Sequence, residues 1–279
     1  MKITNFGTTT LLFDDGKSQI LFDAHFTRPS VKEYLLKEVS SDEKVIEDMK
    51  KAHKINRLKA IFISHSHYDH VMDAPYIAKT TGAALYGSIT TKNIALGENV
   101  NNSQIVVFEN YQVYQIGDFK ITIIPTLHSK PRIFNDDLGE EIKEPLKNPK
   151  KLKNFKEGGS YDFYIENKGK TYLIHPSGNY IKNRLKDYKA DVVFLAIAGL
   201  MKMEIKNRIE FFDETINITD AKLVIPMHWD NFFKPLEKAT KTMPRIAEKV
   251  NNGFFELVNY CETNGVDTII QLPRTSFNI

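Results

Sequence analysis

Residues 65–70 read HSHYDH, so three of the chain's eight histidines and an aspartate fall within six positions. Imidazole nitrogens and carboxylate oxygens are ligands that suit zinc and comparable divalent cations. Directly before them stands KAIFIS (59–64), which reads as a buried strand, and a helix-compatible segment follows. In a continuing strand the pleat would set His65 and His67 side by side on one face, with Asp69 beyond them. In a loop leaving a strand end, the same side chains can fold around a point. A single histidine here would read as part of a solvated turn, and Asp69 alone as the N-cap of a helix starting near Val71. Four ligand-type side chains in this order, behind a strand and ahead of a helix, point to metal binding.

Such a loop needs a frame, and the periodicity supplies one. KITNF, TTTLLF and QILFD open the chain as short strands, with the turn-like DDGKS between the last two. Residues 31–56 are charged and helix-compatible, residues 71–80 predict a helix stopped by Gly82, and ALYGS resumes the sheet. QIVVFEN, QVYQIG and FKITIIP read as consecutive strands delivering the chain to TLHS at 126–129. The second half repeats this grammar: strands SYDFYIEN and KTYLIH, a helix IKNRLKDY, a strand DVVFLAIAG, a helix RIEFFDETI and a strand KLVIPMH. Helices over 235–251 and 254–263 and a last strand VDTIIQL complete it. Two β-rich halves, each closed by helices, predict an α+β fold of two sheets packed face to face with helices outside. With no internal repeat and no low-complexity linker, residues 1–279 are expected to form one domain.

The HxHxDH spacing at 65–70 resembles the signature of the metallo-β-lactamase superfamily, and further matches run along nearly the whole chain. A strand ending in aspartate lies near the N-terminus (ILFDAHF), a lone histidine follows the next group of strands (PTLHS), and a last histidine ends a late strand (VIPMHW). HWDNFFKP is similar to the final motif of the branch containing L-ascorbate-6-phosphate lactonase and N-acylphosphatidylethanolamine phospholipase D. The resemblance implies a four-layer αββα sandwich, with one metal held by His65, His67 and His128 and a second by Asp69, His70 and His228. Zinc is the expected ion, in one or two copies, with Mn2+ or Fe2+ as alternatives. Asp23 takes the place of the carboxylate that receives the free N–H of a metal-bound histidine, and His25 either shares that task or is a plain turn residue. A lone loop histidine such as His128 or His228 is otherwise ambiguous, and Trp229 and Phe232 read equally well as core aromatics.

One part of the pattern is missing. The superfamily supplies a bridging aspartate in a GDTG-like turn between His128 and His228, where this chain has YLIHPSGN. With Ser177 and Gly178 matched to the TG, Pro176 occupies the bridging position and has no ligand atom. His175 is the nearest substitute, either as a terminal ligand or hydrogen-bonded close by. A neutral imidazole offers one lone pair and cannot span two cations as a carboxylate does.

The chemistry this implies is hydrolysis. A divalent metal lowers the pKa of bound water to about 7 and polarises a carbonyl or phosphoryl oxygen. The expected catalyst is a metal-bound hydroxide oriented by Asp69, which takes its proton, and the expected substrate a small ester, lactone, amide or phosphodiester. Three other readings compete: a di-iron oxygen or nitric-oxide reductase, whose relatives carry Glu where His67 stands and an attached flavodoxin domain; an RNA-processing nuclease; and a non-catalytic binding protein on the same fold. The stretch KEPLKNPKKLKNFKEGG carries six lysines, but acids are interleaved, the net charge is only +3 and the pI is near 8.6. A nucleic-acid partner is therefore not expected. Residues 130–159 read as a solvated loop, with a substrate-covering lid as the lesser reading. Lys130, Arg132, Lys202 and Arg208 are cations that could meet an anionic group, although scattered cations are usually solvated surface and none of the four is singled out.

Apolar residues make up 42% of the chain, with 18 Phe and 12 Tyr, enough for a core without disulfides or a structural metal. The single cysteine, Cys261, cannot form an internal disulfide and falls in a predicted helix, where packing rather than reactivity is expected. MKITNFGTTTLLF lacks the basic and apolar regions of a secretory signal, and no window approaches 18 apolar residues. The expectation is a cytoplasmic protein that does not enter a membrane. Homo-oligomers are frequent among metabolic enzymes, so a homo-oligomer is compatible with this reading.

Overall fold

The computed structural model describes residues 1–130, 137–147 and 150–279. A first sheet is built from β1 (Lys2–Asn5), β2 (Leu11–Asp14), β3 (Gln19–Phe22), β4 (Leu58–Phe62), β5 (Ala84–Gly87) and β6 (Ile105–Val107). A second contains β7 (Val113–Ile116), β8 (Phe119–Thr126), β9 (Ser160–Asn167), β10 (Lys170–His175), β11 (Val192–Ala196), β12 (Leu223–Met227) and β13 (Asp267–Thr268). The last strand, β14 (Thr275–Asn278), returns to the first sheet and pairs antiparallel with β1. The strand orders are β14-β1-β2-β3-β4-β5-β6 and β13-β12-β11-β10-β9-β8-β7. Each sheet is antiparallel at one end and parallel at the other, the change falling at β3 and at β10.

The near-continuous apolar runs are explained by burial on both faces. In β3, Ile20 and Phe22 point between the sheets while Leu21 packs outward under helices. In β11, Val192 and Phe194 face inward while Val193 and Leu195 face out. The inner layer is aromatic: Phe22, Phe62 and Phe163 meet with ring centroids 5.2–5.9 Å apart. Over the first sheet lie α1 (Val31–Leu36), α2 (Glu43–Ala52), the single turn α3 (Tyr68–Val71), α4 (Ala74–Thr81) and α5 (Ile89–Gly97), and over the second α6 (Ile205–Phe212) and α7 (Val250–Thr263). These are the four layers of the expected αββα sandwich.

Local chemistry sets the helix ends and accounts for several departures from expectation. The segment 31–56 is two helices, because Ser30 forms a capping box with Glu33 and Asp42 caps a second start by accepting from the Val45 N–H. Gly82 ends α4 in the left-handed region at φ 73°, as its position predicts. Residues 181–188 are turns rather than a helix: Asn183 sits at φ 59°, and its N–H donates to Glu214 instead of to a preceding carbonyl. Residues 235–249 are likewise not helical. Pro235 and Pro244 remove two N–H donors, and the Asn231 N–H is taken by the Lys241 carbonyl across a turn. The strand expected over VDTIIQL shrinks to β13, and α5 and β14 were not anticipated. Helix α5 opens on Ile89, Thr90 and Thr91, poor helix formers, and is started by the Ser88 side chain accepting from the Thr91 N–H.

The topology determines what meets at one rim. Strands β8, β10, β11 and β12 run the same way, so His128, His175 and His228 follow at one edge of the second sheet, where the antiparallel β9 begins with Ser160 and Asp162. The Tyr161 N–H donates to the Ser64 carbonyl at 2.9 Å, tying that edge to the chain leaving β4.

Candidate metal centre

Past β4 the chain is steered by one buried side chain, Asp23, at the end of β3. Its Oδ1 accepts the Ser64 backbone N–H at 2.7 Å, and its Oδ2 accepts the hydroxyls of Thr9 (2.5 Å) and Ser64 (2.8 Å). His67 is the N-cap of α3 in extended conformation, and the His70 N–H bonds back to the His67 carbonyl. Asp69 and His70 therefore ride on one helical turn while His65 and His67 precede it, their rings 5.0 Å apart and nearly perpendicular. His228 follows β12 at φ 59°, and Asp23 sits at φ 52°. Both are left-handed, a strained setting for side chains that concentrates at functional sites.

These turns gather six side chains into two trios. His65, His67 and His128 each bring a ligand-type atom within 4.8 Å of the others, and Asp69, His70 and His228 do the same. The trios abut, with the His65 and His70 rings 3.7 Å apart by centroid. In the second trio, Asp69 Oδ2 lies 3.7 Å from His70 Nε2 and 3.4 Å from His228 Nε2.

The outward-facing nitrogens show whether this donor set suits a cation. His70 Nδ1 lies 2.7 Å from Asp23 Oδ2, a contact in which only the ring can donate. His65 Nδ1 is 3.2 Å from Ser64 Oγ, whose own proton goes to Asp23, and His128 Nδ1 is 3.0 Å from the Ser129 carbonyl. His67 Nε2 is 3.2 Å from Asp137 Oδ1. Partners on these nitrogens direct the lone pairs of the opposite ones inward, and the buried His65 Nε2 has no hydrogen-bond partner. The six side chains fit one or two divalent cations.

The electrostatics agree. Burial, together with the neighbouring imidazoles, pushes His65 well below its ordinary pKa, and burial with His67 beside it takes His128 down to about 3. Both rings are neutral and ready to ligate. Burial opposes charge on His70 as well, but Asp23 and Asp69 outweigh it and raise that histidine. Burial would likewise raise Asp69, yet His70 and His228 bring it below the usual carboxylate range.

A cation entering the second trio must therefore displace a proton from His70, and one entering the first displaces none from His65 or His128. Zinc titrations in buffers of different ionisation enthalpy should show at least about half a proton released at pH 6.5, His70's ordinary value, with release from the acidified bound water taking over as pH rises past about 7. Buffer-independent heats at pH 6 would refute this protonation pattern.

A family model described as "Beta-lactamase superfamily domain" matches residues 18–229, from the residue before β3 to the residue after His228. The chain belongs to the metallo-β-lactamase superfamily. Among curated relatives of this superfamily member, a metal-dependent hydrolase of Anaeromyxobacter sp. (strain K) is 27% identical over 189 residues, covering 65% of this chain and 62% of the relative. One of Carboxydothermus hydrogenoformans is 23% identical over 235 residues, covering 83% and 86%. The chain thus spans less than two thirds of the first of these and most of the second. Among solved structures, the metallo hydrolase Igni18 of Ignicoccus hospitalis shares the fold at a TM-score of 0.61 with 18% identity, covering 100% of this chain and 98% of that one.

Within this metallo-β-lactamase fold the other expected residues find their places. Asp23 stands where the carboxylate partner of a ligand histidine was expected. His25 is wholly buried between Tyr68 and Phe232, its pKa taken to about 3 by burial and Arg28, and it joins neither trio. His175, entertained above as a ligand, also stands outside both trios. Its Nε2 lies 2.7 Å from the Asn179 carbonyl and its Nδ1 2.8 Å from Asp162, so both ring nitrogens face protein oxygens. Arg208 is spent on Glu256 at 2.6 Å, Lys130 and Lys202 are exposed, and Arg132 lies outside the described residues, as does part of the 130–159 loop. Cys261 is buried and its thiol is pushed up by that burial. Trp229 packs in the core under α7, while Phe232 stands 5.4 Å from the His228 ring. Sequence reasoning missed Asp137, which was one acid among many in a charged loop.

Proposed function

We propose that residues 1–279 form a single metal-dependent hydrolase domain that acts on a small ester, lactone, amide or phosphodiester. The observation that carries this reading is the pair of abutting trios, in which His65, His67, His70 and His128 have their outer nitrogens partnered and their lone pairs turned inward. His65, His67 and His128 would hold one cation and Asp69, His70 and His228 a second, with zinc the ion best suited to this nitrogen-rich set. When bound, such a cation supplies an acidified water and a Lewis acid for the carbonyl or phosphoryl oxygen.

The chain's own residues do the rest. Asp69 accepts the proton of the attacking water at its carboxylate. Asp23, Asp137 and the Ser129 carbonyl hold the ligand rings in one tautomer. Phe232 and Phe233, 4.7 Å apart, and Tyr34, 5.5 Å from Phe233, form an aromatic wall beside His228 on which an apolar portion of a substrate can rest. The names of the curated relatives and the likeness of HWDNFFKP to the lactonase and phospholipase branch support hydrolysis. A small molecule is favoured over RNA because two of the loop's lysines are engaged internally, Lys150 with Glu98 at 2.5 Å and Lys156 with Glu140 at 2.7 Å.

Purified chain should carry up to two transition-metal ions and turn over nitrophenyl esters or bis(nitrophenyl) phosphate. Chelation should abolish that turnover and added zinc or manganese restore it. Turnover indifferent to chelator, or a chain that takes up no metal, would overturn the proposal.

A further inference from the structure

His175 and Asp162 form a buried ionisable pair that the hydrolysis scheme does not use. Their side chains are each 1% exposed, and Asp162 Oδ1 stands 2.8 Å from His175 Nδ1. On its other side the imidazole reaches the Asn179 backbone carbonyl at 2.7 Å. A carbonyl can only accept, so Nε2 carries a proton and that end of the ring is fixed by a hydrogen bond, while Asp162 holds the other end as an ion-pair neighbour whose geometry makes no hydrogen bond. Two ionisable groups cost more to bury than an apolar pair of the same volume, so burial alone gives no reason for them.

What the grip achieves is visible one step further on. His175 ends β10, and its hydrogen bond pins the turn through Pro176, Ser177, Gly178 and Asn179. That turn holds both polar groups of the peptide unit that directly follows the His128 side chain: Asn179 Nδ2 donates to the His128 carbonyl at 2.9 Å, and Ser177 Oγ accepts the Ser129 N–H at 2.7 Å.

We propose that Asp162 and His175 are a positioning pair which, through the 176–179 turn, sets the His128 imidazole in place as a ligand beside His65 and His67. The proposal rests on the ligand assignment above, and it gives His175 a task other than ligation.

Cobalt(II) titration of the full chain, followed by calorimetry and by the visible d–d bands, tests it. The parent should show two binding phases. Asn179→Ala and His175→Phe should weaken one of them by about 10- to 100-fold, the usual cost of losing an outer partner of a metal ligand, with a change in its d–d band and the other phase unmoved. His175→Gln, whose amide can still donate to the Asn179 carbonyl, should recover most of the lost affinity. If His175→Phe does not fold, Asn179→Ala decides, because it leaves the buried pair intact. Parent-like affinities in both phases for Asn179→Ala, or a Gln variant no better than Phe, would overturn the positioning role while leaving the ligand assignment standing. A parent that binds no cobalt would overturn both.

Discussion

Asp69→Asn should lower turnover by about 10^3-fold or more, near the upper part of the range for losing a positioned proton acceptor. The substitution keeps the shape of the side chain and removes its charge. In the protein that charge lies 3.4 Å from His228 Nε2 and 3.7 Å from His70 Nε2, on a helical turn whose backbone bonds do not depend on it. An amide is a poor proton acceptor and a weaker ligand, so the variant loses both functions at once. The metal-free variant should melt within a few degrees of the parent, since no backbone donor is orphaned. The measurement is kcat at matched metal content, determined by elemental analysis of the assayed sample. An Asn variant with parent-like turnover at equal occupancy would show that Asp69 neither ligates nor moves the proton.

The contrast between Asp69 and its partners shows what a linear reading can reach. His65, His67, Asp69 and His70 are legible because they lie within six positions behind an apolar run. His128 and His228 are single histidines, and only their order within the superfamily pattern distinguished them from surface residues. Strands such as β11 were legible for a physical reason, because burial on both faces demands an unbroken apolar run like VVFLA, and the part-polar SYDFYIEN and KTYLIH still match β9 and β10 at both ends. Where helix against turn depended on one backbone angle, as at Asn183, or on a contact across the chain, as between Asn231 and Lys241, periodicity misled. Asp137 and Asp162 escaped notice because their value lies in which ring they face. Asp137 meets His67 across 70 residues, and nothing local to either marks the pairing.

Asp23 is the reverse case, a residue placed by its position in the pattern whose weight appears only in the structure. It is 1% exposed and accepts from the Ser64 N–H, the Ser64 and Thr9 hydroxyls and His70 Nδ1. Asp23→Ala would leave these buried donors without an acceptor and His70 without its counter-charge. Breaking a buried pair in this way costs about 3–5 kcal/mol, so the metal-free protein should melt roughly 10 °C lower. Asp23→Asn separates stability from ligation. The amide oxygen can still take the Ser64 N–H, but its NH2 group turns a donor toward the Thr9 hydroxyl and His70. The ring is then free to present either nitrogen, and affinity at the Asp69, His70 and His228 trio should fall by about 10- to 100-fold with a smaller loss in melting temperature. Paired melting curves and metal titrations of the two variants check this. If the Ala variant melts with the parent, the network around Asp23 does not hold the loop. If the Asn variant binds metal like the parent, the tautomer of His70 is set by something other than Asp23.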